Sequence, residues 1–468
     1  MKKKIAAIVT SAAMMAISLM GCAPGSSTVG NENTDKQQEA QEEAVGERQE
    51  ETEQAEDGIT SKEASAEEIT LTIWDWDAEH LEHMTKLYQQ ENPNVKFETL
   101  IVTAGDYMEK LQSAIASGSG VPDIVLGELS YRGRLYEMGI LEDLTKEPYG
   151  LLESDMFDFA VELNRGADGG VYGIEQTICP AGFAYRRDLA KEYLGTDDAD
   201  EISEMIATWD QFLELGKEVA AKSDGKVTIF PGVSVLLYDV LYPQNPSSYI
   251  EGNTIRLTER YEDILNTAAE LNQAGVLGKQ ERYTPASSSG MAAGEFIFYP
   301  CAPWATKWTI AANDPDGSGR WGLAKGPGGG FTNGGTSISV YSGSENKEEA
   351  WKYIRYTYGD GYGVEEAFEK FGFMTGFRAP YEDENSYFYT MEGAYDEFFG
   401  GQNLADYFIN TISVDTEGQI QTKYESAVST AMLSLAGKMS ADTSVTGEGA
   451  LEFLKSEIQN LVPDAVIE

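Results

Sequence analysis

Strand patterns and helix patterns follow one another from residue 69 onward. Residues 69–74 alternate apolar and β-branched side chains as a strand does, and Leu81, Leu87 and Tyr88 then recur at helical spacing. Such alternation predicts an α/β protein whose sheets are mainly parallel and flanked by helices. Further strands are expected over 95–100, 122–126, 173–185 (interrupted at Pro180), 296–299 and 337–341, and further helices over 107–116, 209–221, 264–274, 348–358, 427–435 and 450–461.

Polar and aromatic side chains follow the first and third of these strands. Trp76 and Asp77 come after the first strand, and Glu128, Ser130 and Tyr131 come after the third. In open α/β sheets the ligand crevice lies beyond the carboxyl ends of the strands. These five residues are therefore candidate ligand contacts.

The N-terminus has the pattern of a bacterial export signal. Three lysines, Lys2 to Lys4, precede a short apolar run that ends at Leu19, and Cys22 follows Gly21. The run is too short for a membrane-spanning helix, which needs about 20 apolar residues. The stretch resembles the lipobox of bacterial lipoproteins, which implies a signal peptide over 1–21 and a diacylated Cys22. A lipid-anchored protein on the extracytoplasmic face of the cell membrane is expected.

The segment 22–68 is predicted to be a disordered acidic tether. From Asn31 to Glu68 it consists mainly of Glu, Gln, Ala, Ser and Thr, which cannot bury enough apolar surface to fold. The whole chain has a formal net charge of −44, which disfavours nucleic acid and anionic lipid as partners. A neutral or cationic small solute fits this charge better.

Two cysteines and two histidines are candidates for cross-linking or metal binding. Cys179 and Cys301 form one disulfide or are two buried thiols, and spacing alone does not decide between these alternatives. His80 and His83 lie three residues apart on one predicted helix, which suits a metal site or a solvated helix face. Because the sequence shows no third ligand nearby, we expect neither a metal nor a cofactor.

Catalytic motifs are not found. The glycine-rich stretch 326–335 lacks the Lys-Ser/Thr of a phosphate-binding loop, and no GxSxG motif is present. Pairs of carboxylates mean little in a chain with 78 acidic residues. We therefore expect a binding protein rather than an enzyme, with a lipid-anchored glycoside hydrolase or lyase as the main alternative.

A series of short motifs follows the order found in a known family of proteins. The motifs are Ile73-Trp74-Asp75-Trp76, Tyr107-Met108-Glu109-Lys110-Leu111, Gly120-Val121-Pro122-Asp123-Ile124, Gly139-Ile140-Leu141-Glu142-Asp143-Leu144, Gly170-Val171-Tyr172-Gly173-Ile174, Tyr185-Arg186-Arg187-Asp188-Leu189, Thr208-Trp209-Asp210-Gln211-Phe212, Ala302-Pro303-Trp304, Gly334-Gly335 and Lys347-Glu348-Glu349-Ala350-Trp351. With these motifs in this order, the chain resembles the extracellular solute-binding proteins (family 1) of ABC sugar importers, which include maltose-binding protein and related oligosaccharide-binding lipoproteins. The resemblance extends from Ile69 to the C-terminus.

The resemblance implies a two-lobed periplasmic-binding-protein fold of type II with hinge strands between the lobes. The N-terminal lobe would comprise 69–175 with 334–375, and the C-terminal lobe 176–333 with 376–468. A monomer is expected, which closes on a carbohydrate and delivers it to ABC permease subunits that work with a cytoplasmic ATPase.

The resemblance also implies site residues. A sugar needs aromatic faces for its C–H groups and polar groups for its hydroxyls. Trp304, which follows Pro303, matches the cleft tryptophan of the family, and Trp76, Asp77, Glu128, Ser130 and Tyr131 lie at family contact positions. Further candidates are Trp308, Gly335, Tyr107 and Arg378.

Two departures from the family concern the first crossing between lobes. Glu175 stands where proline is frequent, and Cys179 occupies a position that can carry a polar ligand group.

A receptor for a polyamine, a peptide or a glycerol phosphate is the alternative within the same class. A cationic ligand would require more carboxylates than tryptophans in the cleft, and a phosphate would require basic residues.

Overall fold

The computed structural model describes residues 67–244, 246 and 249–468. The predicted signal peptide, Cys22 and nearly all of the predicted tether lie outside the described residues. The first strand begins at Ile69, where the sequence predicts that order begins. Within the described part of the chain, no helix has the length and apolar character needed to cross a membrane.

Two larger sheets and one small sheet contain the strands. The first sheet has the order β2-β1-β3-β11-β4, the second has the order β10-β5-β8 with β9 also paired to β5, and the third has the order β12-β7-β6. The strands are β1 Ile69–Asp75, β2 Val95–Ile101, β3 Ile124–Glu128, β4 Ile174–Glu175, β5 Pro180–Arg186, β6 Ile250–Glu251, β7 Thr254–Ile255, β8 Phe298–Cys301, β9 Trp321–Ala324, β10 Phe331–Thr332, β11 Thr336–Val340 and β12 Val466–Ile467.

The expected α/β class is confirmed, but the expected mainly parallel sheets are wrong. In the first sheet β1 is parallel to β2 and β3, whereas β11 is antiparallel to β3 and β4. In the second sheet β5 is antiparallel to β8, β9 and β10. The strand β11 enters the first sheet from the second sheet, through a three-residue connection after β10, and runs antiparallel to both of its neighbours.

Helices connect the strands and pack on the sheets, with α1, α3 and α12 contacting the first sheet. Asp77 caps α1 and Thr103 caps α2, each by accepting a hydrogen bond from a backbone N–H of the first turn. The helices are α1 Ala78–Glu91, α2 Ala104–Ser117, α3 Leu129–Glu137, α4 Asp158–Leu163, α5 Arg187–Tyr193, α6 Ala199–Met205, α7 Trp209–Lys222, α8 Val233–Val235, α9 Leu257–Gln273, α10 Pro285–Ala293, α11 Pro303–Ala305, α12 Lys347–Tyr358, α13 Gly363–Phe371, α14 Ala379–Glu382, α15 Tyr387–Thr390, α16 Leu404–Tyr407, α17 Glu425–Ala441 and α18 Gly447–Leu461. Helices α8, α11 and α16 continue into π-helical turns at Leu236–Leu241, Thr306–Ala311 and Phe408–Ile412.

The chain passes between the two larger sheets through short segments that lie side by side. One segment joins β4 to β5, and Pro180 begins β5 rather than interrupting a strand. A second segment joins β10 to β11, and its Asn333 N–H donates to the Cys179 carbonyl at 3.0 Å. In a third segment the Met374 carbonyl accepts from the Ile178 N–H at 2.9 Å. The lobe boundaries given above stay a prediction.

The two histidines do not share a solvated helix face. The His80 side chain is fully buried and lies among the rings of Tyr358, Phe371 and Phe373, at centroid distances of 5.6, 5.1 and 4.8 Å. Only His83 is partly exposed. Among the described residues, no group of three or more His, Cys, Asp or Glu side chains could hold a metal ion. The aromatic residues of α12, α13 and the following loop, remote in sequence from α1, explain the burial of His80.

We expect stability to fall below about pH 6.5 because of His80. Burial first, and then the charge of Lys307, lower the pKa of His80 to about 3. Between these pH values the unfolded chain binds a proton at His80 that the folded chain does not bind, so acidification favours unfolding. When the pH is lowered from 7 to 5, the free energy of unfolding of His80→Leu should therefore rise by about 2 kcal/mol relative to that of the wild type, as measured by urea denaturation. Met84→Leu, a buried change on the same helix, is the control and should show no such gain. An identical pH dependence for His80→Leu and the wild type would contradict this account.

Candidate ligand-binding cleft

A cleft of about 610 Å³ lies where the carboxyl ends of β1 and β3 face residues carried by the second sheet. It contains seven of the ten predicted ligand contacts. The described residues lining it are Trp76, Asp77, Ala104, Glu128, Leu129, Ser130, Leu163, Gln176, Thr177, Cys179, Tyr238, Asp239, Tyr242, Pro243, Arg282, Tyr283, Trp304, Trp308, Thr332, Asn333, Gly334, Gly335, Thr336, Phe373, Gln419, Gln421, Glu425, Ser429 and Leu433.

Trp76 and Asp77 form one part of the wall on the side of the first sheet. The Trp76 ring meets Tyr107 edge to face, with a centroid distance of 5.6 Å. One Asp77 carboxylate oxygen caps α1 by accepting from the His80 N–H at 3.2 Å. The other oxygen is buried and has no hydrogen-bond partner among the described residues. Asp77 is only 6% exposed, so this oxygen is a candidate acceptor for a ligand hydroxyl.

Glu128 and Ser130 extend the same wall. Glu128 caps α3 by accepting from the Ser130 N–H at 2.9 Å, and the Ser130 hydroxyl donates to the same carboxylate oxygen. Because β1 and β3 are neighbours in the sheet, Asp77, which follows β1, and Glu128, which ends β3, lie at one edge of the cleft. This is the arrangement that the sequence predicts from the ends of the strands.

Trp304 and Trp308 lie on the opposite wall, in the helical segment that follows β8. The Trp304 Nε1–H donates to the Asn333 carbonyl at 2.7 Å, which fixes the plane of the indole. Trp308 is 48% exposed, and the Lys307 ammonium lies 4.5 Å from its ring centroid. Trp304 is therefore the more rigid of the two aromatic faces.

A cluster of Tyr238, Asp239, Arg282 and Tyr283 completes this wall, and the sequence did not predict it. The Arg282 guanidinium lies 4.4 Å from the Tyr238 centroid and 4.2 Å from the Tyr283 centroid. It donates to both Asp239 carboxylate oxygens, at 3.0 and 2.6 Å. Tyr283 is 61% exposed and has a φ of 54°, which is uncommon for a residue other than glycine. Tyr238 and Asp239 lie in a π-helical turn, and such turns are frequent at functional sites, but the sequence of this turn carries no signal for it.

Glu425 is a second residue that the sequence did not predict. It accepts from the Tyr242 hydroxyl at 3.1 Å, the Tyr249 hydroxyl at 2.9 Å and the Gln419 amide at 2.8 Å. Burial raises the pKa of Glu425 to about 7, although these three hydrogen bonds oppose the shift. The fraction of Glu425 that carries a negative charge should therefore change with pH near neutrality.

A buried ion pair lies beside the crossing segments. The Arg132 Nη1 donates to the Glu175 Oε1 at 2.6 Å, and both side chains are fully buried. Burial lowers the pKa of Arg132, but the negative charge of Glu175 raises it above its ordinary value. Glu175, where the resemblance implies proline, thus has a buried partner of opposite charge.

The cysteines do not form a disulfide. Cys179 and Cys301 are both buried and free. A Cβ added to Gly335 would lie 3.5 Å from the Cys179 Sγ, so this thiol packs against the second crossing segment. Cys179 is a small buried residue that also lines the cleft.

Three predicted contacts lie outside the cleft lining and are corrected here. Tyr107 is fully buried, and its hydroxyl oxygen accepts from the Leu126 N–H at 2.9 Å. Tyr131 is buried with its ring stacked on that of Tyr107. Arg378 donates to the Met156 carbonyl and to Asp158, each at 2.7 Å. The first two have core positions, and the third is held by the carbonyl of a buried residue and by an exposed carboxylate.

The charge of the lining favours some ligands over others. Arg282 is the only Lys or Arg among the described lining residues, and Asp239 already neutralises it. The lining therefore offers no free cation to a phosphate or a carboxylate. It offers three tryptophan faces and several hydrogen-bonding groups, which suits a ligand with apolar faces and hydroxyl edges.

Comparisons with known proteins show which family the chain resembles. A model of the family described as bacterial extracellular solute-binding protein matches residues 83–387. A lactose-binding protein of Rhizobium radiobacter is 25% identical over 316 residues, which are 64% of this chain and 72% of that protein. An arabinooligosaccharide-binding protein of Bacillus subtilis (strain 168) is 26% identical over 274 residues, which are 52% of this chain and 60% of that protein.

The fold is also found among solved structures. The galacto-N-biose-/lacto-N-biose I-binding protein of an ABC transporter from Bifidobacterium longum superposes with a TM-score of 0.66 at 17% identity, covering 86% of this chain and 98% of that chain. The chain thus has the two-lobed periplasmic-binding-protein fold of type II that the resemblance implies.

Proposed function

The chain belongs to the bacterial extracellular solute-binding proteins, and we propose that it captures a neutral oligosaccharide in the cleft and delivers it to ABC permease subunits. Membership in this family makes it a binding protein rather than an enzyme. The observation that carries the sugar proposal is the cleft lining, with Trp76, Trp304 and Trp308 together with hydroxyl, amide and carboxylate groups and no free cation among the described residues. The names of the relatives, lactose-binding and arabinooligosaccharide-binding, support a carbohydrate.

Calorimetric titration with a panel of neutral oligosaccharides, including lactose, arabinotriose and maltotriose, tests this proposal. At least one of them should bind in a saturable manner, and chromatography of each mixture should recover the sugar intact. Hydrolysed product would contradict a pure binding function. Tight binding of charged solutes alone would contradict the assignment to a neutral sugar.

A receptor for a cationic solute is the second candidate, and the carboxylates of the cleft favour it. Among the described lining residues there are four carboxylates, Asp77, Glu128, Asp239 and Glu425, against three tryptophans. However, Asp239 is paired with Arg282, and Glu425 already accepts three hydrogen bonds from neighbouring side chains. The remaining two carboxylates do not outnumber the tryptophans, so the sugar proposal is preferred. Spermidine in the same titration panel separates the two candidates.

The proposal includes a lipid anchor at Cys22 and a tether over 22–68. A tethered receptor would remain close to its permease, which raises its local concentration there without a new contact. These statements rest on the sequence pattern alone.

Cys22→Ala should release the protein from the membrane. Because acylation at Cys22 is the proposed anchor, the variant should move from the membrane fraction to the soluble fraction or the medium, as measured by immunoblotting after fractionation. Cys179→Ala, which changes a buried thiol in the folded part, is the control and should stay with the membrane. A Cys22→Ala protein that remains fully membrane-bound would contradict both the anchor and the tether.

A further inference from the structure

The indole of Trp304 is held from outside its own helix. Its Nε1–H donates to the carbonyl of Asn333, in the segment that joins β10 to β11, at 2.7 Å. The next residue of that segment, Gly334, lies close to the same ring. A Cβ added to Gly334 would lie 3.2 Å from the Trp304 Nε1 and 3.3 Å from its Cζ2. The segment between the sheets therefore holds the Nε1 side of the indole by a hydrogen bond and by close packing.

Gly334 meets two separate requirements. Its φ of 70° is in the left-handed region, which side chains other than glycine rarely adopt. Its closeness to Trp304 leaves no space for a methyl group unless the ring moves. The second requirement is specific to this position, because Gly319 has a similar φ of 76° but no atom within 4 Å of an added Cβ.

Asn333 connects three parts of the site. Besides the bond that its carbonyl accepts from Trp304, its own N–H donates to the Cys179 carbonyl at 3.0 Å, in the other crossing segment. Its side-chain amide donates to the Asp239 carbonyl at 3.0 Å, in the π-helical turn that also carries Tyr238. Asn333 is buried, and its amide bond to Asp239 is shielded from water.

We propose that Asn333 and Gly334 are positioning residues for ligand binding, which fix the orientation of Trp304 and its distance from the Asp239–Arg282 wall. Their effect on ligand affinity rests on the proposed function, whereas their effect on Trp304 does not. A ligand stacked on Trp304 is then aligned by the segment between the sheets, although that segment's side chains need not touch it.

The direct test is ¹⁹F NMR of the unliganded protein labelled with 5-fluorotryptophan. The Trp304 resonance is assigned by its loss in Trp304→Phe. Gly334→Ala should shift this resonance, because the added methyl group displaces the ring. Gly319→Ala is the matched control, with the same backbone strain in open space, and should leave the resonance in place. Asn333→Asp, which keeps the size of the side chain but removes the donor to Asp239, serves as a second variant if Gly334→Ala does not fold, and it should also shift the Trp304 resonance.

Affinity provides the second measurement. For whichever of lactose, arabinotriose and maltotriose binds the wild type, Gly334→Ala and Asn333→Asp should each weaken binding at least tenfold, and Gly319→Ala less than twofold. An unchanged Trp304 resonance in both variants, or an equal shift in Gly319→Ala, would overturn the positioning role. Absence of saccharide binding by the wild type would instead contradict the proposed function, because the NMR measurement needs no ligand.

Discussion

Trp304→Ala is expected to remove nearly all saccharide binding while the protein stays folded. Truncating a central aromatic contact costs about 2–4 kcal/mol of binding free energy, which is roughly a 30- to 1,000-fold loss in affinity. Trp304 has this position, because its ring lies in the cleft wall and its Nε1–H is bonded to Asn333. The ring is only partly buried, so the loss of stability should be about 1–2 kcal/mol.

Trp209→Ala provides a matched control. Trp209 is also partly buried, and its Nε1–H donates to the Gln244 side chain at 3.1 Å, but it does not line the cleft. It should lose similar stability and keep the wild-type affinity. Affinity by calorimetry and the free energy of unfolding in urea should be measured for both variants. If Trp304→Ala bound sugar normally, or if it unfolded outright, the ring would have a structural role only.

Glu175→Gln is expected to lower the free energy of unfolding by about 3–5 kcal/mol. This is the usual cost of breaking a buried ion pair by removing one charge, because the other charge stays buried without compensation. Here the remaining charge would be that of Arg132, which is fully buried. The neutral amide could still accept a hydrogen bond from Arg132. A loss of this size would therefore come from removing the negative charge and not from losing the hydrogen bond. Urea denaturation at pH 7 measures it.

The double variant Arg132→Met, Glu175→Leu separates charge from packing. Replacing a whole buried ion pair by apolar side chains of similar volume is often neutral or stabilising, so the double variant should recover most of the stability lost in Glu175→Gln. Equal losses in the single and the double variant would show that packing, and not the uncompensated charge, is responsible.

Much of the fold could be predicted from the sequence because the local patterns are strong. The alternation in β1 and the helical spacing in α1 predicted the correct elements, and the ends of β1 and β3 predicted that Asp77 and Glu128 lie at one edge. Strand direction could not be predicted in the same way. The strand β11 reads like any other short apolar strand, and its antiparallel pairing depends on a chain that returns from the second sheet.

The site was predictable only where residues follow strands. Tyr238 and Asp239 lie within Leu-Leu-Tyr-Asp-Val-Leu, which reads as a buried helix, and only its π-helical turn presents these side chains to the cleft. Glu425 is far away in sequence and enters the lining through tertiary packing. The opposite error concerns Tyr107, which was predicted to contact the ligand. Its hydroxyl oxygen instead accepts a hydrogen bond from the Leu126 N–H inside the core.

A crystal structure of the protein with its best-binding neutral oligosaccharide would test the central claim most directly. We predict a sugar ring stacked on the indole of Trp304, with hydroxyls within hydrogen-bond distance of Asp77 and Glu128 and with the oligosaccharide intact. A sugar bound elsewhere on the surface, or a cleft in which Trp304 makes no contact with the ligand, would contradict the account.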